Sequence, residues 1–123
     1  MTFEFNEMQE SIRSSAKDYA EKYLRPRIDE IENAEIFPQD LIDVMAEMGF
    51  LGISYAEQYG GLEAGHLCMI IAIEEIAKVS PSAAKLIAVC LLAQDAINFY
   101  GTEEQKKKYL PACIDGKDIG SFA

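Results

Sequence analysis

Residues 99–123 read FYGTEEQKKKYLPACIDGKDIGSFA, and the order of signals in this stretch decides the fold. Gly101 stops a helix arriving from the N-terminal side. Thr102 and Gln105 have the spacing of a capping box, in which hydroxyl and side-chain amide each take up a backbone N–H of the opening turn. Lys106, Lys107 and Lys108 then stand on the solvent side of a new helix. Pro111 is expected to break that helix and Gly116 to close the segment. The final residues, IGSFA, follow a glycine, carry no helical period and read as the start of an extended strand.

Immediately upstream, Ser80-Pro81 is a start signal, with Ser as N-cap and Pro at the first helical position. The helix it opens, SAAKLIAVCLLAQDAINFY (82–100), is apolar almost all round. Such a helix is surrounded by protein, so something must cover its far side. Its longest strictly apolar run, Leu86 to Ala93, is too short to span a bilayer.

The rest of the chain is helical by period. Met8, Ile12, Ala16, Tyr19 and Tyr23 recur at steps of three and four, behind an Asn6/Gln9 capping box. Pro26 predicts a break near Arg25 and a short helix through Ile28 and Ile31. In FPQDLIDVMAEMGF (37–50), Pro38 suits a first helical position and Gly49 the left-handed residue after the last turn. Leu41, Val44 or Met45, and Met48 form its inner stripe. LGISYAEQYGGLEAGH (51–66) reads as an ordered loop with a tight turn at Gly60-Gly61. A further helix runs from about His66 to Lys78, with Leu67, Ile70, Ile71, Ile73 and Ile76 apolar. The pattern predicts an all-α bundle of five or six helices, with the start of a β-strand at the C-terminus.

Composition narrows the function classes. Half of the 123 residues are apolar, enough for one globular core. The formal charge of −10, with 21 acidic residues against 11 basic, argues against a nucleic-acid partner and against docking on anionic lipid. Cys68, Cys90 and Cys113 are widely spaced among apolar neighbours and read as small buried hydrophobes. The start, MTFEFNEMQE, is acidic and lacks an apolar signal region or an Arg-rich transit character. The expected location is a bacterial or archaeal cytoplasm, the alternative being the matured form of an organellar protein.

Catalytic constellations are sparse. Glu63 and His66 form an E-x-x-H, but a di-iron site needs a second such pair, and the chain has one histidine. His66 reads as a cap or a solvated residue, and no metal is expected. Glu74 and Glu75, adjacent on a helix, point about 100° apart and make no dyad; Glu74 is placed to pair with Lys78. Lys85 stands near the start of the most apolar helix, either snorkelling to water or facing a pocket. QYGGLEAG lacks the spacing of a phosphate loop. The chain carries no catalytic residue that these patterns reveal.

Three stretches, FPQDLIDVMAEMGFLGISYAEQYGG, AIEEIAKVSPS and FYGTEEQKKKYLPACIDGKDIGSFA, resemble the N-terminal domain of the acyl-CoA dehydrogenase family in order and spacing, with Ala56 where relatives often carry proline. The resemblance implies that residues 1–120 are the N-terminal helical domain and 121–123 the start of an absent middle β-domain. It implies α,β-dehydrogenation of an acyl-CoA thioester by a FAD enzyme, with a glutamate removing the α-proton while the β-hydrogen leaves as hydride to the flavin. That glutamate and most FAD contacts would lie beyond residue 123, so this chain alone would be inactive. By resemblance, Phe122 and Ala123 lie on the cofactor side. Ala88 and Leu92 match positions at the inner end of the acyl pocket, with Ala84 and Lys85 one turn earlier, the alternative for Ala88 and Leu92 being ordinary core; in the pocket, a small Ala88 leaves room for longer or branched chains and Lys85 favours a distal carboxylate. Electrons would pass to an electron-transfer flavoprotein, and the whole enzyme would be a homotetramer. A competing reading from pattern alone is a free-standing helical module that oligomerises through residues 82–99.

Overall fold

The computed structural model describes residues 2–121 and 123. Helix α1 spans Glu7–Tyr19 and opens with the expected capping box: the Asn6 side chain accepts from the Gln9 N–H and the Gln9 side chain from the Asn6 N–H, each at 2.9 Å. The helical path does not stop at Arg25. It widens into a π-helical turn over Ala20–Leu24, tightens to a 3-10 turn over Arg25–Arg27 and continues as α2, Ile28–Asn33. Pro26 sits in the 3-10 turn, where its missing N–H and fixed φ are accommodated by the change of winding.

Helix α3 covers Gln39–Glu47. Pro38 is its N-cap, one residue earlier than expected, because ψ of 124° leaves it outside the helix. Gly49 adopts φ +84° after the last turn, the left-handed conformation expected there. The segment 52–64 then folds back on itself around a 3-10 turn at Glu57–Tyr59. The N–H groups of Leu62, Glu63 and Ala64 donate to the carbonyls of Gly52, Tyr55 and Ile53 at 2.8–3.0 Å. This doubling-back needs Gly60 at φ +97° and a bare Cα at Gly61, where a Cβ would collide with the Tyr55 carbonyl.

Helices α4 (Gly65–Ala77), α5 (Pro81–Tyr100) and α6 (Glu103–Ile114) complete the bundle. The Ser80 hydroxyl accepts from the Ala83 N–H at 3.2 Å, and Thr102 and Gln105 cap α6 reciprocally. Pro111, expected as a breaker, lies inside α6. An interior proline costs about 3 kcal/mol. Burial of Leu110 and Ile114, at about 2 kcal/mol each, outweighs it. The Asp115 N–H also closes the last turn on the Pro111 carbonyl at 2.9 Å.

The core gathers Tyr19, Leu24, Met45, Phe50, Tyr55, Ile76, Ile87 and Leu110, all essentially inaccessible. Tyr19 organises it: its ring packs 5.5 Å from Phe50 and its hydroxyl donates to the Leu41 carbonyl at 2.8 Å. Cys68, Cys90 and Cys113 are buried free thiols, as expected. Met8 is exposed, so the inner stripe of α1 starts at Ile12. Among the described residues no strand forms at the C-terminus. A strand exists only by its ladder, and residues 119–121 have no second strand to pair with.

Candidate functional site: the outward face of α5

Helix α5 divides into two faces. Ala83, Ala84, Ile87, Cys90, Leu91 and Gln94 are buried against the bundle. Lys85, Ala88, Leu92, Ala96 and Phe99, spaced at three and four residues, are exposed. Leu92 is 55% and Phe99 59% accessible. Helix α4 extends the same apolar surface through Leu67 and Ile70, two of the apolar residues of the predicted helix, which are 52% and 54% accessible. The two helices meet where the His66 ring stacks on Phe99, 6.2 Å between centroids and 14° from parallel. The all-round greasiness of α5 is therefore real, and its far side is uncovered among the described residues.

By length and mean hydropathy α5 is also long enough to cross a membrane. It packs on α4 and α6, and Gln94 and Asp95 make hydrogen bonds to the rest of the bundle. Gln94, wholly buried, donates to the Leu51 carbonyl at 3.2 Å, and its side-chain oxygen has no partner. Asp95 accepts from the Tyr55 hydroxyl at 2.6 Å, and burial followed by that carboxylate pushes the phenol pKa well up. Tyr59 donates to Glu103 at 2.7 Å. These three tethers hold the doubled-back segment against α5 and α6. Sequence reasoning passed over Gln94 and Asp95; their polarity inside a continuous apolar run is the signal that marks them.

Of the residues expected at a pocket, Lys85, Ala88 and Leu92 share the outward face, and Lys85 has no ion-pair partner among the described residues. Ala84 is only 5% accessible and belongs to the inner face. Ala123 is exposed. Phe122 lies outside the described residues. The chain reaches α5 again at Gly120, where a Cβ would stand 2.6 Å from that of Ala93. Ala123 offers no side-chain donor to a cofactor.

The E-x-x-H pair does not converge. The Glu63 carboxylate accepts from the Glu57 N–H at 3.0 Å, and His66 is occupied with Phe99. Among the described residues no cluster of metal-type ligands occurs. Lys78 is drawn mainly to Glu75, at 2.8 Å, rather than to Glu74, at 4.0 Å. Glu75 is the nearly buried member of the adjacent pair and also accepts from Arg13 of α1.

Residues 6–117 match the sequence family described as "Acyl-CoA dehydrogenase, N-terminal domain". The chain is 37% identical to acryloyl-CoA reductase (NADH) of Anaerotignum propionicum, over all of this chain and 31% of that protein. It is 41% identical to the caffeyl-CoA reductase-Etf complex subunit CarC of Acetobacterium woodii, over 97% of this chain and 32% of the relative. The fold superposes on butyryl-CoA dehydrogenase of Megasphaera elsdenii with a TM-score of 0.87 at 32% identity, over 97% of this chain and 32% of that one. The chain thus spans about a third of the length of these relatives. It belongs to the acyl-CoA dehydrogenase family, of which it is the N-terminal helical domain.

Proposed function

We propose that the chain forms the first domain of a FAD-dependent acyl-CoA dehydrogenase that interconverts acyl-CoA thioesters and their 2,3-enoyl counterparts. The observation that carries this is the exposed stripe Lys85, Ala88 and Leu92 on α5, continuous with Leu67 and Ile70 of α4. In the whole enzyme this stripe becomes one wall of the acyl cleft. Its apolar side chains exclude water and hold the alkyl part of the substrate, worth about 0.8 kcal/mol for each methylene buried. Ala88 leaves space beyond the wall, and Lys85 stands ready for a polar group at the far end of the chain. In this reading the proton acceptor and most of the flavin contacts come from sequence outside the chain, and positions 121–123 lead toward the β-domain that meets the cofactor.

Relatives named as reductases and as part of an Etf complex support acyl-CoA as substrate and an electron-transfer flavoprotein as redox partner. A homotetramer in the bacterial cytoplasm completes this reading. The test is Ala88→Phe in the polypeptide carrying all three domains. Filling the space of two methylenes disfavours long substrates by about 1.6 kcal/mol, roughly fifteenfold in kcat/KM, and moves the optimum to shorter acyl groups. An unaltered chain-length profile removes Ala88 from the wall. The free-standing module is the outcome if the gene stops after codon 123 and the purified chain self-associates through α5.

A further inference from the structure

The groove between the end of α1 and the α4–α5 turn, remote in character from the apolar face, gathers four of the eleven cationic residues of this acidic chain. Arg13, Lys17, Arg25 and Lys78 surround a concavity of about 290 Å³ together with Glu21 and Glu75. We propose that this groove binds a small soluble phosphoryl anion, such as pyrophosphate or a phosphate monoester, a function separate from the acyl-CoA reading.

The geometry builds the site from its buried carboxylate outward. The Glu75 side chain, 8% accessible, accepts from Arg13 Nε at 3.2 Å and from Lys78 Nζ at 2.8 Å. Both cations are thereby oriented at the groove rather than left to swing in solvent. Arg13 spends one further terminal nitrogen on Glu10, at 3.6 Å, and Lys78 approaches Glu74 at 4.0 Å. Glu21 holds Arg25 through Nε at 2.5 Å and Nη2 at 2.8 Å, which leaves Nη1 unspent. Lys17 has no ion pair among the described residues, and all three of its N–H donors remain. Glu10 and Glu74 at the rim share Arg13 and Lys78 with Glu75, so the donors left over for a phosphoryl oxygen are the Lys17 ammonium and the unspent Arg25 Nη1. The net charge of −10 repels the extended anionic surfaces of nucleic acid and membrane. A compact anion avoids that repulsion and keeps the local attraction.

The experiment is titration of the ¹⁵N-labelled chain with inorganic phosphate, pyrophosphate and AMP at constant ionic strength, set against sodium chloride, with phosphatidylglycerol vesicles as a separate arm. Saturable shifts at the amides of Lys17, Lys78 and Val79 are expected, tighter for pyrophosphate than for phosphate. Lys17→Ala, which removes no native ion pair, weakens binding about fivefold, and Lys117→Ala leaves it unchanged. Shifts that never saturate, that match those from chloride, or that persist equally in Lys17→Ala overturn the proposal. So does vesicle binding without a response to the soluble anions.

Discussion

The Tyr55 hydroxyl donates to the Asp95 carboxylate at 2.6 Å, from the doubled-back segment to α5. Tyr55 is buried, whereas Asp95 retains partial access to water. Tyr55→Phe therefore leaves an acceptor that solvent can still reach. The expected loss is about 1 kcal/mol in urea-induced unfolding, with the m-value unchanged. A loss beyond about 3 kcal/mol would mean that the bond organises the whole segment.

Among the carboxyl groups held below their usual range, Glu75 is the one that is nearly buried. Hydrogen bonds from Lys78 and then Arg13 hold its carboxyl below the usual glutamate range, against the opposing effect of burial. A depressed folded-state pKa contributes stability that is complete above the unfolded value, about 4.3. It is lost as pH falls through the lower folded value. The unfolding midpoint should therefore drop on acidification below about pH 4, and Glu75→Gln should flatten that slope. Parallel pH curves for the two proteins would exclude Glu75 as the titrating group.

Gly61→Ala sets a methyl group against the Tyr55 carbonyl oxygen, at backbone that cannot step aside without opening the Glu63–Tyr55 hydrogen bond. A destabilisation of about 2–4 kcal/mol follows. Faster amide exchange at Leu62, Glu63 and Ala64 should accompany it, and protection there equal to the parent chain would contradict the turn geometry.

Leu92→Gln tests the uncovered face directly. Leu92 touches little of the core, so the chain's own stability should move by no more than about 0.5 kcal/mol. Binding of a hydrophobic dye such as ANS should fall, because a contiguous apolar surface has been interrupted. A large stability loss instead would place Leu92 inside the bundle.

Helix caps and periods were readable because they are local. Asn6, Ser80, Thr102 and Gly49 each act within a few residues of their own position, and each does what its type implies. Pro111 was misread for the opposite reason. Its local cost is genuine, but Leu110 and Ile114 repay it through contacts with distant parts of the chain. The far side of α5 was legible in outline, since an all-apolar helix announces a missing cover. Which residues share that side was less so: Ala84 and Ala88 look alike in sequence, yet one faces the bundle and the other does not. The apolar residues of α4 likewise divide in a way their type does not show: Ile71 and Ile76 are buried, whereas Leu67 and Ile70 are exposed.

The π-helical turn at Ala20–Leu24 carries an evolutionary consequence. A turn of this kind holds one residue more than regular α winding, and each residue advances a helix by about 100°. Deleting a single position there would restore even winding and swing everything downstream by more than a quarter-circle. Arg27, which clasps Asp40 of α3 and Glu30 of α2 together, would lose its grip. The larger cost falls on Ile31, which such a swing would carry out of the core, so gene variants that shorten this turn by one codon should be strongly destabilised.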